Sequence, residues 1–234
     1  MKESNSTLPF DLITSDGDAP ASDLARRSGV LKLPNLRVWL AQNCDVNNNR
    51  VQPIPIGLDL HTPSIIRNRG LKGAVFNPQA LVGRLGAFRK PAGHKSRKML
   101  VLYDCGSDTH PERALAKRVL QTDSRVFMLP HRLPLFELWQ TYADFAFGVS
   151  VQGKGLDCHR TWEMIYAGMI PIMRHSSIDA LFEGLPVVFV ESWAQVQSLD
   201  LQKELIKALS RQKKGFLLEA FDPETWYRKY GLLP

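Results

Sequence analysis

The stretch FAFGVSVQGKGLDCHRTWEMIYAGMIPIM, Phe145–Met173, decides the fold. It opens with an apolar run that reads as a buried strand, FAFGVSV (145–151). Two glycines, Gly153 and Gly155, flank Lys154 and permit a tight turn. Asp157 then stands where a helix N-cap is expected, and CHRTWEMIYAG reads as a helix closed by Gly168. A second apolar strand, IPIMR, follows. Strand, glycine turn, helix and strand in succession are the signature of a right-handed crossover in a parallel sheet.

The same pattern extends on both sides. KMLVLYD (98–104), RVFMLP and PVVFVE (186–191) read as further strands. HPERALAKRVLQ (110–121), LPLFELWQTYAD, LDLQKELIKALSRQK (199–213) and DPETWYRKYG (222–231) read as helices, and SIDALFEG as a short one. Strands alternating with helices from residue 98 onward predict an α/β, Rossmann-like parallel sheet with helices on both faces, over 98–234. Residues 1–97 read as a reduced, partly irregular amino-terminal portion. Within it PFDLITS (9–15) is a short strand, SDLARRSG a short helix, and VQPIPIG (51–57) extended because its prolines disfavour helix. LRVWLAQN (36–43) is ambiguous, and PQALVGRLGAF carries one more helical pattern.

The chain has 234 residues, 44% of them hydrophobic, enough for one sizeable core or two small ones. Charged residues make up 23%, near the globular average, which argues against disorder. The net charge of +7 favours an anionic partner: a phosphate ester, nucleic acid or anionic lipid. Three distant cysteines, Cys44, Cys105 and Cys158, form no Cys-x-x-Cys pair and fit a reduced compartment. The first residues lack a long apolar run, and no stretch approaches the ~20 apolar residues of a membrane span. The expectation is a cytoplasmic protein, or the soluble part of an endomembrane protein whose anchor lies elsewhere.

A strand, a glycine turn and a helix start together make an anion site, because N–H groups at the helix start point outward and the macrodipole favours negative charge. Lys154 and Arg160 add positive charge there. On the helix, Trp162, Ile165, Tyr166 and Met169 follow i, i+3, i+4, i+7 and predict the buried stripe. His159, Arg160 and Glu163 fall on another face, where they present an imidazole, a guanidinium and a carboxylate, or else pair on a solvated surface.

The segment Gly148–Met173 resembles the donor-binding segment of exostosin-like glycosyltransferases, of the two-Rossmann-domain (GT-B) class. The resemblance rests on Gly153 and Gly155, then Arg160, then Glu163, then AGMIPIM. Weaker similarity covers roughly residues 8–195, including RKMLVLYDCGSDTHPERALAKRVL and WLAQNCDVNNNRVQPIPIGLD. It implies a metal-independent transferase that moves a sugar from a UDP- or GDP-sugar to a hydroxyl of a glycan or other acceptor, with no cofactor and no nucleic-acid partner. It gives Glu163 the ribose hydroxyls and Arg160 the diphosphate, and it implies a donor-binding set of Gly153, Lys154, Gly155, Asp157, His159, Arg160 and Glu163. The chain departs from the class at Gly155, where many members carry an acidic residue, and in its short amino-terminal portion. That shortness keeps a non-catalytic nucleotide- or glycan-binding remnant as the alternative.

Other motifs compete. GVSVQGKG nearly spells a P-loop, but Gly155 stands where Ser or Thr must hold magnesium. Asp16-Gly-Asp18 admits three readings: a turn, a general base for the acceptor hydroxyl, or the Asp-x-Asp metal motif of a metal-dependent transferase. His61 is a rival base. The basic run RLGAFRKPAGHKSRK (84–98) reads as a solvated loop, a diphosphate clamp or an electrostatic contact. The helix with Lys203, Lys207, Arg211, Lys213 and Lys214 opposite Leu201, Leu205 and Leu209 reads as a surface helix, with peripheral membrane contact secondary.

Overall fold

A computed structural model describes residues 8–15, 17–60, 78–104, 110–211 and 219–233. Within these residues the chain builds two parallel sheets. The first is β1 (Phe10–Thr14), β2 (Leu36–Ala41) and β3 (Val51–Pro53), in that spatial order. Helix α1 (Ala21–Ser28) joins β1 to β2 and ends at Gly29, whose φ of 67° suits glycine. The portion expected to be irregular thus holds a small parallel sheet. Its strands are short, and LRVWLAQN resolves as β2 because Leu40 and Ala41 are buried while Arg37 points out.

The second sheet has the order β5-β4-β6-β7-β8, all parallel. Its strands are β4 (Arg97–Tyr103), β5 (Val126–Met128), β6 (Phe145–Val149), β7 (Ile170–Arg174) and β8 (Val188–Val190). Between them and beyond run α2 (Pro78–Ala87), α3 (Pro111–Leu120), α4 (Leu135–Tyr142), α5 (His159–Tyr166), α6 (Leu201–Arg211) and α7 (Pro223–Lys229). Pro111 and Pro223 sit in the first turns of α3 and α7, where a missing N–H costs nothing.

Both faces of this sheet are covered, which is why its strands read as continuous apolar runs. Alternate residues of β4 go to opposite sides. Val101 and Tyr103 pack with α3, α6 and the 3₁₀ segment Trp193–Ser198, whereas Leu102 packs with α2, α4 and α5. A third cluster binds the sheets together: Leu40 and Ile54 of the first half share a core with Trp162, Ile165 and Trp226.

The basic run is not uniformly solvated. Lys95 is 1% exposed, and its Nζ donates to the carbonyls of Tyr142 (2.7 Å) and Ala167 (3.0 Å). One ammonium therefore ties the carboxyl ends of α4 and α5, where the helix dipoles favour a cation. Burial pulls this lysine down to about 7. Among the described residues, no helix is long and apolar enough to cross a membrane.

Candidate functional site

Strand order in the second sheet reverses between β4 and β6, and a parallel sheet opens a crevice at the carboxyl ends of its strands at such a point. The loop leaving β6 lies there. Gly153 N–H donates to Gly155 C=O at 3.2 Å and closes a tight turn. A Cβ on Gly153 would lie 3.0 Å from Arg113 Nη2, and one on Gly155 would lie 2.7 Å from Asn43 Nδ2. The close approach these glycines allow is therefore to the protein's own Arg113 and Asn43. Arg113 Nε donates to Gln152 C=O at 3.0 Å, which pins the loop to α3.

Asn43 reaches across from the first sheet. It is 1% exposed and has a φ of 52°, which asparagine tolerates. Its Oδ1 accepts from Asp157 N–H at 2.9 Å, and its Nδ2 donates to Gly17 C=O at 2.8 Å.

The N-cap of α5 is Cys158, not Asp157, and no side chain caps it. Asp157 sits one residue earlier, with its carboxylate turned inward and 3% exposed. It accepts from Ile56 N–H (2.7 Å), Cys158 N–H (2.9 Å) and Trp162 Nε1–H (2.9 and 3.0 Å). Burial pushes its carboxyl up to about 6 against the pull of these donors. In the structure Asp157 joins α5 to the segment after β3.

Glu163 likewise departs from the exposed helical face expected of it and is 3% exposed. The physical reason is that α5 is flanked on both sides. Trp162 and Ile165 enter one core while Met164 and Ala167 enter another, so the face between them is enclosed as well. His159 Nδ1 lies 2.8 Å from Gly57 C=O, so this nitrogen carries the proton. Arg160 Nε lies 2.9 Å from Asp104 Oδ1, and Asp104 Oδ2 accepts from the Tyr142 hydroxyl. Burial, then the Asp104 and Glu163 carboxylates, push the Tyr142 hydroxyl far up and keep it a donor. Asp104, Tyr142, Arg160 and Glu163 thus form an enclosed polar cluster at the carboxyl end of β4. Sequence reasoning missed Asp104 and Tyr142. The available signal was position: an acidic residue directly after the apolar end of a strand next to the switch point.

A cleft of about 510 Å³ opens between the carboxyl ends of the two sheets. The first sheet contributes Asp18, Asn43 and Asp45. The second contributes Ser150, the loop Gln152–Leu156 and the residues Met173–Ser177 after β7, and the start of α3 adds His110 and Glu112. Of the sequence candidates, Gly153, Lys154, Gly155 and Asp18 line it, whereas Asp157, His159, Arg160 and Glu163 do not. Asp16 and His61 lie outside the described residues. Lys154 and Asp18 are both exposed on its walls. Glu112 organises one side, accepting from Gln152 Nε2 (2.7 Å), Arg174 Nη1 (2.9 Å) and Trp193 Nε1 (3.2 Å). A more apolar groove of about 360 Å³ lies between the ends of β1 and β2, the segment 54–58 and α7.

Fold and site together define an α/β protein with parallel sheets flanked by helices and a polar cleft at their carboxyl ends. No protein-family model matches the chain, and no curated protein matches it. Among the described residues, no three or more His, Cys, Asp or Glu side chains gather as a metal site.

Proposed function

We propose that the protein is a glycosyltransferase of exostosin-like, GT-B type, moving a sugar from a nucleotide diphosphate sugar to a hydroxyl acceptor without a metal ion. One observation carries this reading: the 510 Å³ cleft lies between the carboxyl ends of two parallel sheets, with a glycine turn and an exposed lysine on its wall. A volume of that order falls within the ~300–1,000 Å³ range of small-ligand sites. Lys154 and the backbone N–H groups of Lys154 and Gly155 take the diphosphate, and Lys154 offsets charge growing on the leaving group. Arg174 stands beside them at the end of β7, paired with Glu112. Asp18 faces the same cleft from the first sheet and is the base for the acceptor hydroxyl. Arg160 and Glu163 do not line this cleft, and Arg160 instead pairs with Asp104 at the end of β4.

A non-catalytic nucleotide binder is favoured by a separate observation. The N–H groups of Gly153, Asp157 and Cys158 are all engaged within the protein, which leaves less of the helix start for a leaving group. Turnover separates the two. Incubation with UDP- and GDP-sugars in EDTA, with and without simple glycan acceptors, releases free nucleotide if the chain is a transferase. Asp18→Asn then lowers the rate by about 100-fold or more with donor affinity unchanged. Donor binding with no release in any mixture supports the binder instead.

A further inference from the structure

We infer that His110 contacts ligand in this cleft, donating its Nε2–H to a phosphate oxygen of the nucleotide diphosphate. The inference rests on the donor-site reading above. His110 is the N-cap of α3 and lines the cleft. Its Nδ1 lies 3.2 Å from Glu112 N–H. A backbone N–H can only donate, so Nδ1 holds a lone pair and the neutral ring carries its proton on Nε2.

That Nε2–H meets the wrong partner inside the protein. Gln152 Nε2 lies 3.4 Å from it. The orientation of the Gln152 amide is set by Glu112, whose Oε2 accepts from Gln152 Nε2 at 2.7 Å. An amide nitrogen does not accept. The opposite tautomer would let Gln152 donate to His110 at the longer distance, but it would set two N–H groups against each other at Nδ1, where the first turn of α3 needs an acceptor. Among the described residues nothing accepts from His110 Nε2, so an acceptor oxygen from the cleft completes it.

The surroundings favour an anionic oxygen. Glu112 is already neutralised by Arg174 and by two further donors, and Lys154 stands on the same wall. Gln152 opens the glycine turn, so His110 stands beside the place where the diphosphate would lie.

His110→Asn separates the cap from the contact. Asparagine is among the best N-caps and keeps an acceptor for Glu112 N–H, but it has no counterpart to Nε2–H. His110→Ser is a second variant of the same logic. Binding of UDP, GDP and inorganic pyrophosphate is measured by calorimetry, alongside thermal unfolding. The expected result is a Tm close to that of the unaltered chain, with affinity for the bound nucleotide and for pyrophosphate lower by about tenfold or more in both variants. Undiminished affinity in both folded variants would overturn the inference while leaving the donor site standing. If the unaltered chain binds neither nucleotide, the donor-site reading fails and this inference fails with it.

Discussion

Asn43→Ala tests the joint on which the cleft depends. Asn43 is buried; it links the two sheets by accepting from Asp157 N–H, and it donates to Gly17 C=O within the first half. The two partners differ in what truncation leaves behind. Gly17 C=O also accepts from Gln42 Nε2 at 2.9 Å, so it keeps a partner. Asp157 N–H is buried and loses the one acceptor it has among the described residues, at about 1–3 kcal/mol, while the Gly17 bond adds about 1. Alanine at a φ of 52° adds about 1 kcal/mol more relative to asparagine. The sum is about 3–5 kcal/mol, a drop in Tm of roughly 6–20 °C for a chain of this length. Asn43→Gly loses the same two bonds but tolerates the positive φ, so it falls by about 1 kcal/mol less than alanine. Urea unfolding followed by fluorescence and circular dichroism gives both values. A loss below about 1 kcal/mol for alanine, with the two probes coincident, would show that the sheets are not coupled through this side chain.

Gly168→Ala places a Cβ 2.4 Å from the Lys90 carbonyl oxygen at a φ of 77°, and about 3 kcal/mol of destabilisation is expected from strain and overpacking combined. An unchanged urea midpoint would mean the 90–91 segment yields freely. For Lys95, the folded pKa of about 7 lies below the unfolded value of 10.5, so above pH 7 the unfolded chain binds a proton that the folded chain does not. Stability therefore rises with pH between about 7 and 10.5, at up to about 1.4 kcal/mol per unit, and Lys95→Met removes that rise. Parallel pH profiles for the two proteins would contradict it.

Much of the second sheet was legible because its signals are local. Apolar strands covered on both faces, proline at the first turns of α3 and α7, and Asp222 accepting from Glu224 N–H all follow from short-range chemistry. The first sheet was harder, since β3 spans only Val51–Pro53 and takes its partner from β2 rather than from any pattern of its own. The site was legible by region more than by residue. Gly153–Gly155 and Asp18 reach the cleft, but helical spacing could not reveal that α5 is enclosed on both flanks, which buries Glu163. Nor could it place Asn43, Asp104, Glu112 and His110, which meet the loop only through long-range packing.

Calorimetric titration of the chain with UDP and GDP in EDTA, repeated with Lys154→Ala, tests the central claim most directly. The account predicts one-to-one binding of one nucleotide without added metal, weakened at least about tenfold when Lys154 is removed. No heat from either nucleotide, or binding that appears only after Mn²⁺ is supplied, would contradict it.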